Sequence, residues 1–295
     1  MIEISQRLFG LMSKPLRHGH SLNRRELLRF LGLHSAGLAL ASIITSIHWL
    51  QPFFGKNYAH ASDEIPWGYG QDNGPERWGT LSEPYQTCAT GANQSPIDLQ
   101  PANAQPSGLS QRSATPVFHY RPTPLIISNT GHTIQGEVDG LSTLELDGVR
   151  FKLLQFHFHH PSEHRLGGDR FPMEMHFVHK NEQGALAVVG LFLTEGAENK
   201  ALKPVWKVMP QRRTKAVTIA DVRVDLEQLL PSDRTLFRYQ GSLTTPPCSE
   251  LVQWLIFKTP LELSAEQVTA FKDIFSRNAR PTQPINGRLL LEASP

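Results

Sequence analysis

The 295-residue sequence has an ordinary globular composition, with 39% hydrophobic and 19% charged residues, and its length allows two average domains or one large β-rich domain. Residues 1–61 hold 7 of the 29 basic residues but only 2 of the 27 acidic ones, so residues 62–295 carry a net charge of −3. With that acidic balance, we expect no nucleic-acid partner.

Residues 1–61 contain the parts of an export signal in their usual order. Basic residues, ending at Arg29, precede a charge-free and mostly apolar run at residues 30–50. Ala59-His60-Ala61 then supplies the small residues that a signal peptidase recognises. The pair Arg24-Arg25 resembles the twin-arginine export motif, although the first position of that motif differs here. The sequence therefore predicts export from the cytoplasm.

The apolar run is long enough to span a bilayer, so an uncleaved membrane anchor is the alternative to a cleaved signal. Polar residues interrupt the run, which favours cleavage. We expect cleavage after Ala61, leaving residues 62–295 as a mature domain in the periplasm or another extracytoplasmic compartment. The mature form would then have no contact with the membrane.

Residues 62–295 contain many short strand-like runs, separated by turn sequences such as Asp139-Gly140 and Gly167-Gly168. The clearest runs are Leu125–Ser128, Leu141–Leu146, Phe151–His159, Met173–His179 and Leu186–Leu193. One helix near the C-terminus is indicated by Ser264 and Gln267, which have capping-box spacing. The pattern predicts a single, mainly β and largely antiparallel domain with a few short peripheral helices, either a closed sandwich or one wide twisted sheet.

Two imidazoles fall on one side of the strand predicted around residue 157. Because side chains alternate along a strand, Gln155, His157 and His159 share a face, as do Glu174 and His176 on a strand that can pair with it. His157, His159 and His176 would then form a three-histidine site with an open fourth position, which is typical of catalytic zinc. Gln155 and Glu174 each lie two residues before a ligand, placed to hold its other ring nitrogen.

Neighbouring histidines do not fit that face. His160, His164 and His179 point away from it or lie in turns, and we expect them to be structural. A lone sheet histidine is usually an ordinary hydrogen-bonded residue, but the combination with polar partners on the same face favours a metal site. A second motif, Gly241–Cys248, is by itself only a turn with two hydroxyl groups.

Short motifs follow one another in a fixed order from about Trp67 to Arg288. They are Trp67–Gly70, Asn73–Glu76, Gln94–Asp98, Gln155–His159, Glu163-His164, Glu174–His179, Gly241–Pro247 and Asn278–Pro284. In this order they resemble the α-class carbonic anhydrases of the exported bacterial type. The resemblance implies one large twisted, mostly antiparallel sheet with short helices. It also implies a Zn²⁺ cofactor and the reversible hydration of carbon dioxide to bicarbonate and a proton, by attack of a zinc-bound hydroxide.

The resemblance further implies a role for each site residue. Thr244 would orient the hydroxide while donating its own proton to the Glu163 carboxylate. His132 would shuttle the product proton to solvent, because an imidazole titrates near pH ~6.5. The water chain leading to this shuttle would be held by Tyr69, Thr130 and Gln135. The apolar pocket for carbon dioxide, with Thr245 alongside, would comprise Val178, Val188, Leu243, Val252 and Trp254.

Cys88 and Cys248 are the two cysteines of the sequence. In an exported protein, two thiols in one domain tend to pair, and two buried free thiols are the alternative. Their positions resemble those of the disulfide in exported family members, which implies a bridge.

Two rival functions belong to other classes. A catalytically silent relative used for binding would have lost zinc histidines, whereas this chain keeps all three together with Thr244 and Glu163. A zinc hydrolase of large esters would need more room than Val178, Val188 and Val252 imply. Ester cleavage is therefore expected only as a side activity.

Overall fold

The computed structural model describes residues 67–106 and 115–294, in which β-strands predominate. The strands are β1 (Asp98–Leu99), β2 (Gln105–Pro106), β3 (Val117–His119), β4 (Pro122–Asn129), β5 (Ile134–Glu137), β6 (Thr143–Leu146), β7 (Val149–His159), β8 (Arg165–Leu166), β9 (Met173–Lys180), β10 (Leu186–Glu195), β11 (Val217–Asp225), β12 (Leu236–Ser242), β13 (Glu250–Phe257), β14 (Leu261–Leu263) and β15 (Leu291–Ala293). The helices are α1 (Trp78–Leu81), α2 (Thr87–Thr90), α3 (Lys203–Lys207) and α4 (Ala265–Ile274), with single 3₁₀ turns at Glu83–Tyr85, Pro101–Asn103 and Glu227–Leu229. The predicted export signal, residues 1–61, lies outside the described residues.

Thirteen of the described strands form one sheet. Its main path runs β11-β4-β5-β7-β9-β10-β13-β12-β15-β2, while β14 pairs with β10 and β6 joins β3 to β7. Most neighbours are antiparallel, but β10 pairs in parallel with β13 and β14, and β15 pairs in parallel with β2. The predicted mainly β fold is confirmed, and its architecture is the single wide sheet rather than the closed sandwich.

The five predicted strand runs all overlap strands of this sheet, and the helix predicted near the C-terminus is α4. Its capping box is formed: Ser264 Oγ accepts from the Gln267 backbone N–H at 3.2 Å, and Gln267 Oε1 accepts from the Ser264 N–H at 3.1 Å. No helix within the described ranges is long and apolar enough to cross a membrane.

A bulge in β7 determines which residues of this strand reach the histidine face. Phe151 and Leu153 are buried in the main core before the bulge, and Phe156 and Phe158 are buried in the same core after it. The register against β9 shifts between Leu153 and Gln155, where one extra residue is inserted. Before the insertion the odd-numbered residues of β7 face the main core, and after it the even-numbered residues do. The odd-numbered residues that follow the insertion therefore project from the opposite face of the sheet.

The sheet separates two apolar clusters. The main core includes Phe156, Phe158 and Phe177, and α4 covers it through Phe271. The second cluster lies on the histidine face: the buried residues Ile97, Leu99, Val178, Val188, Phe192, Phe237, Tyr239, Val252, Trp254, Ile256 and Leu290. Histidines on that face therefore stand beside an apolar surface that the sheet holds rigid.

Candidate metal centre

The imidazoles of His157, His159 and His176 lie together on β7 and β9. His157 is the register partner of His176, and His159 that of Glu174. The ring centroids are 5.0 Å apart for His157 and His159, 5.2 Å for His157 and His176, and 4.7 Å for His159 and His176. One nitrogen of each ring lies within 4.8 Å of the others, so the three rings could hold one metal ion.

Two of the three rings are held by the residues expected from the sequence. Gln155 Oε1 accepts from His157 Nδ1 at 2.8 Å, and Glu174 Oε1 accepts from His176 Nε2 at 2.7 Å. Each pair is separated by two residues on one strand face, which brings the acceptor beside the ring. These contacts fix the tautomers, leaving the lone pairs of His157 Nε2 and His176 Nδ1 towards the cluster.

The third ring, His159, is held from a distant part of the chain. Its Nδ1 donates to the backbone carbonyl of Asn278 at 2.7 Å, which leaves the Nε2 lone pair for the cluster. The Asn278 side chain also joins this segment to β7, because its Oδ1 accepts from the His160 N–H and its Nδ2 donates to the Phe158 carbonyl. No pattern around residue 159 indicates this partner, although Asn278 stands in one of the motifs that carry the family resemblance.

Burial keeps two of these histidines neutral. Burial, followed by the neighbouring His159 and His176 rings, holds the pKa of His157 well below its ordinary value. Burial also lowers the pKa of His159, although the Glu163 carboxylate opposes the shift. Neutral imidazoles at neutral pH are the form in which histidine binds a metal ion.

Two buried polar atoms in this centre have no hydrogen-bond partner among the described residues. They are His159 Nε2 and Glu163 Oε2, which lie 3.5 Å apart. Unpaired buried polar atoms are costly, so their presence side by side indicates that a bound species belongs there. Three imidazoles with inward lone pairs and one unpaired nitrogen fit a divalent metal ion with nitrogen-ligand preference, of which zinc is the common case.

The carboxylate of Glu163 is oriented differently from the expectation. Its Oε1 accepts from the backbone N–H of Arg280 at 2.9 Å, whereas Oε2 is the unpaired atom facing His159. The expected hydrogen bond from Thr244 to Glu163 is therefore not formed in this structure. Because Arg280 already uses one oxygen, Oε2 is the atom left to accept it.

His164 is one of the three histidines expected to be structural, and it helps to hold Glu174 in place. Although it lies in a bend, its Nδ1 donates to Glu174 Oε1 at 2.7 Å, the same oxygen that holds His176. Glu174 Oε2 accepts from the backbone N–H groups of Glu163 and His164 at 2.9 and 2.8 Å. Burial by itself would raise the pKa of Glu174, but the His164 and His176 rings outweigh it and hold that pKa well below its ordinary value. The His164, Glu174 and His176 group is thus an internal hydrogen-bond cluster rather than a second metal site.

The cluster continues to the strand that precedes Thr244. Tyr239 OH lies 2.6 Å from His164 Nε2 and 2.8 Å from Ser95 Oγ, and Ser95 Oγ accepts from the Ser242 N–H at 3.0 Å. In the tautomer whose Nδ1 donates to Glu174, the Nε2 atom of His164 accepts from Tyr239. Each group then donates to the next: Ser95 to Tyr239, Tyr239 to His164, and His164 to Glu174. The other two expected structural histidines do lie away from this cluster.

The residues of the predicted apolar pocket all belong to the second cluster or pack against it. Val178 pairs with Val188 across β9 and β10, and Val188 pairs with Trp254 across β10 and β13. The Trp254 ring centroid is 4.9 Å from that of His176. Val252 is buried in the same cluster and Leu243 packs against it. The residues of the predicted pocket therefore lie on the same side of the sheet as the three histidines.

Thr244 and Thr245 lie in the turn after β12, and this turn is covalently fixed. The Cys88–Cys248 disulfide is formed, and the Cys248 N–H donates to the Thr245 carbonyl at 2.9 Å. The Arg280 guanidinium is buried and donates to the Cys88 carbonyl at 2.7 Å, while its backbone N–H holds Glu163. The bridge and Arg280 thus connect the Thr244 turn to the same carboxylate.

His132 lies in the turn between β4 and β5, where it is half-buried. Its ring stacks on Trp67, and burial followed by the Arg213 charge lowers its pKa. The Thr130 hydroxyl caps this turn by donating to the Thr133 carbonyl and accepting from the His132 N–H, so it is already engaged.

The other two residues of the expected water chain lie closer to the ligands. Gln135 is the register partner of His157 on β5. Burial, followed by the nearby Glu163 charge, raises the pKa of Tyr69 well above its ordinary value, so Tyr69 stays a neutral donor near that carboxylate.

Comparison with known proteins identifies the family. The family model described as eukaryotic-type carbonic anhydrase matches residues 73–294. The chain belongs to the carbonic anhydrases. A carbonic anhydrase of Nostoc sp. is 42% identical over 92% of this chain and 98% of the relative, and one of Pectobacterium carotovorum is 44% identical over 79% and 93%. An α-carbonic anhydrase of Thermovibrio ammonificans, solved in complex with the inhibitor sulfanilamide, has a TM-score of 0.74 and 43% identity over 78% of this chain and all of that chain.

As a carbonic anhydrase, the protein is a lyase that hydrates carbon dioxide, and its substrate is a small molecule. Several residues that build the carbonic anhydrase centre escaped the strand-face reasoning: Ser95, Tyr239, Asn278 and Arg280. Three of them, Ser95, Asn278 and Arg280, stand in motifs that carry the family resemblance. Those motifs indicated the family but did not indicate which contacts these residues make.

Proposed function

We propose that the enzyme is a zinc carbonic anhydrase in which His157 Nε2, His159 Nε2 and His176 Nδ1 bind one Zn²⁺. The observation that carries the proposal is the pair of unpaired buried atoms, His159 Nε2 and Glu163 Oε2, beside a group of three imidazoles that could hold a metal ion. Zinc held by three neutral imidazoles lowers the pKa of water to near 7 and so makes hydroxide available at neutral pH.

The residues beside the ligands direct the reaction. Arg280 holds Oε1 of Glu163, so we propose that Oε2 accepts from the Thr244 hydroxyl. With its proton committed to Glu163, the Thr244 oxygen would be free to accept a hydrogen bond from the hydroxide that a bound zinc ion would supply, and so would orient it towards carbon dioxide. Thr245 lies next to this hydroxyl on the same fixed turn.

Carbon dioxide is apolar, so its place is against the second cluster. Val178, Val188, Leu243, Val252 and Trp254 supply that wall next to His176. Binding there sets the carbon beside the hydroxide that Thr244 orients. Hydration forms bicarbonate, which returns to solvent, and leaves one proton to be removed before the next turnover.

We propose that His132 removes this proton. Its lowered pKa suits release to neutral solution, and its position in a surface turn gives access to buffer. Gln135 is the register partner of His157, and Tyr69 is affected by the Glu163 charge; both are proposed to hold the connecting water molecules. Thr130 is proposed to keep the turn in shape, because its hydroxyl donates to the Thr133 carbonyl and accepts from the N–H groups of His132 and Thr133.

We also propose that residues 1–61 export the protein and are cleaved after Ala61. The Cys88–Cys248 bridge supports the proposal, because disulfides persist in oxidising compartments. Sequencing the N-terminus of protein recovered from the periplasm checks it, with Ser62 expected as the first residue. A chain that begins upstream of Arg24 would show a retained leader.

The central test measures metal content and hydration rate together. His176→Ala should lose most of the zinc and the carbon dioxide hydration activity, since two imidazoles do not hold a catalytic zinc ion tightly. His160→Ala is the matched control, because His160 donates to the Ser276 carbonyl and lies outside the cluster. A His176→Ala enzyme with full zinc content and full rate would contradict the ligand assignment, and a wild-type enzyme unaffected by complete zinc removal would contradict zinc catalysis.

A further inference from the structure

A hairpin turn outside the metal centre brings two arginines face to face. Leu166 and Asp169 exchange both backbone hydrogen bonds, at 3.0 and 3.1 Å, around Gly167-Gly168. Arg165 and Arg170 are the next residues outward on the two arms of this hairpin. Like charges in cross-strand positions repel each other and are destabilising unless something offsets them.

The Glu163 and Glu174 carboxylates offset part of the charge on Arg170, but they form no ion pair with it. Neither Arg165 nor Arg170 forms an ion pair within the described part of the chain, and the Nε atom of each is buried without a hydrogen-bond partner. The acid nearest along the sheet is Asp98, the register partner of Arg165, and its Oδ1 accepts from the Gly168 N–H at 3.0 Å. Two buried donor atoms therefore remain unpaired.

A third guanidinium joins the pair from another segment. Arg277 is exposed in the loop after α4, and it also has no ion pair among the described residues. Burial, followed by the charges of Arg165 and Arg277, lowers the pKa of Arg170, and the Glu163 and Glu174 carboxylates oppose this shift without reversing it. Arg165, Arg170 and Arg277 are called the arginine cluster below.

We propose that the arginine cluster is a binding site for a multivalent oxyanion of the phosphate type. Guanidinium groups present paired N–H donors whose geometry matches the oxygens of phosphate, and an anion there would satisfy the buried Nε donors and offset the repulsion.

Occupancy would connect two loops that support the metal ligands. Arg277 directly precedes Asn278, whose carbonyl holds His159, and Arg165 directly follows His164, which shares Glu174 with His176. An anion bound between the loops would tie these supports together. The site would therefore stabilise the folded metal centre, with bound phosphate acting as a stabilising ligand by mass action.

The test compares thermal unfolding of the mature zinc-loaded enzyme with and without inorganic phosphate, at constant ionic strength set with NaCl. We expect the wild-type midpoint to rise saturably, by about 2–4 °C at a phosphate concentration about fivefold above its dissociation constant. The Arg165→Gln/Arg170→Gln variant should lose the rise. The matched control, Arg121→Gln/Arg150→Gln, removes the same charge at two exposed positions and should keep it.

A double variant with a full phosphate-dependent rise would overturn the proposal, since phosphate would then be binding elsewhere, including at the metal. If the double variant fails to fold, Arg277→Gln and calorimetric titration with phosphate serve instead. Arg277→Gln should weaken phosphate binding at least about tenfold, and unchanged affinity would equally overturn the site. Cosedimentation with phosphatidylglycerol vesicles that requires the same arginines would identify a lipid headgroup as the source, whereas a shift with free phosphate alone would identify a soluble anion.

Discussion

The indole of Trp67 lies parallel to the imidazole of His132, with 3.8 Å between the ring centroids and 8° between their planes. The stack covers one side of the His132 ring, and burial is the main cause of its lowered pKa. Trp67 thus helps to orient the ring of the proposed proton shuttle and contributes to its burial.

The first prediction concerns proton transfer through His132. In dilute buffer, His132→Ala should slow carbon dioxide hydration by about tenfold or more, because proton removal then limits turnover, and added imidazole should restore part of the rate. The exposed His119→Ala is the control and should be unaffected. Isotope exchange between carbon dioxide and bicarbonate, which reports the hydration step alone, should stay nearly unchanged. An unaltered rate of His132→Ala in dilute buffer would exclude the shuttle role.

A separate prediction concerns the effect of the Trp67 stack on the pKa of His132. Trp67→Ala exposes the imidazole, so the pKa of His132 should rise towards its ordinary value near ~6.5. The pH at which the shuttle is half protonated should rise with it. An NMR titration of the His132 ring in wild type and variant checks the direction. A pKa that falls or stays constant in Trp67→Ala would show that the stack does not cause the shift.

Two buried tyrosines make the same contact with a histidine, but only one of them leads to the metal centre. Tyr239 OH lies 2.6 Å from His164 Nε2, and Tyr120 OH lies 2.7 Å from His179 Nε2 in the main core. Tyr239→Phe removes the donor that fixes His164, which in turn positions Glu174. We expect zinc affinity to fall about 10-fold, within the range found for outer-shell partners of metal ligands.

Tyr120→Phe is the matched control for that prediction. It deletes the same hydroxyl from the same kind of pair, so it should cost stability without changing zinc affinity. Competition with a chelator of known affinity measures both variants. Equal zinc affinities in Tyr239→Phe and wild type would show that the hydrogen bond from Tyr239 to His164 does not influence metal binding.

The strand-face argument could place the ligands but not everything around them. Alternation correctly groups Gln155, His157 and His159, although the core positions earlier in β7 have the same parity. Only the bulge, between Leu153 and Gln155, puts the later odd-numbered residues on the opposite face, and no residue in the sequence marks it. A local pattern gives side-chain direction within one strand segment and does not reveal where that direction changes.

Contacts between segments that are distant in the sequence could not be predicted from strand alternation either, for a different reason. The Asn278 carbonyl is a backbone group, so no side-chain pattern indicates that it holds His159 119 residues away. Likewise, His164 reaches Glu174 because the bend after β7 returns across the histidine face, which alternation along a strand does not describe. The wide sheet itself followed from the family resemblance, since strand runs alone did not distinguish it from a sandwich.

A further prediction concerns acid stability and His179. Burial lowers the pKa of His179 to about 4, against about 6.5 in the unfolded chain. The unfolded state therefore binds the extra proton first as pH falls, so stability is complete above pH ~6.5 and decreases from there through pH ~4. The full loss from this one group is about 3 kcal/mol.

His179→Gln cannot take up that proton, so its unfolding free energy should fall less steeply between pH 6.5 and 4 than that of the wild type. The variant should start from a lower stability at pH 7, because the hydrogen bond with Tyr120 is altered. Denaturant unfolding at several pH values measures both effects. The ligand histidines titrate in both proteins, so the difference in slope isolates His179, and identical slopes would contradict the assignment.

The last prediction concerns the Cys88–Cys248 bridge, which closes a loop with a sequence separation of 160 residues and fixes the turn that carries Thr244. Protein recovered from an oxidising compartment should show no free thiol after denaturation. Reduction should lower the free energy of unfolding by about 2–5 kcal/mol, because the unfolded chain regains the freedom that the bridge removes. The ligand strands β7 and β9 contain no cysteine, so zinc should stay bound after reduction and room-temperature activity should fall less than stability. Cys88→Ser/Cys248→Ser separates loss of the bridge from side effects of the reductant and should match the reduced enzyme. Two free thiols in periplasmic protein would contradict the bridge and would remove one support for export.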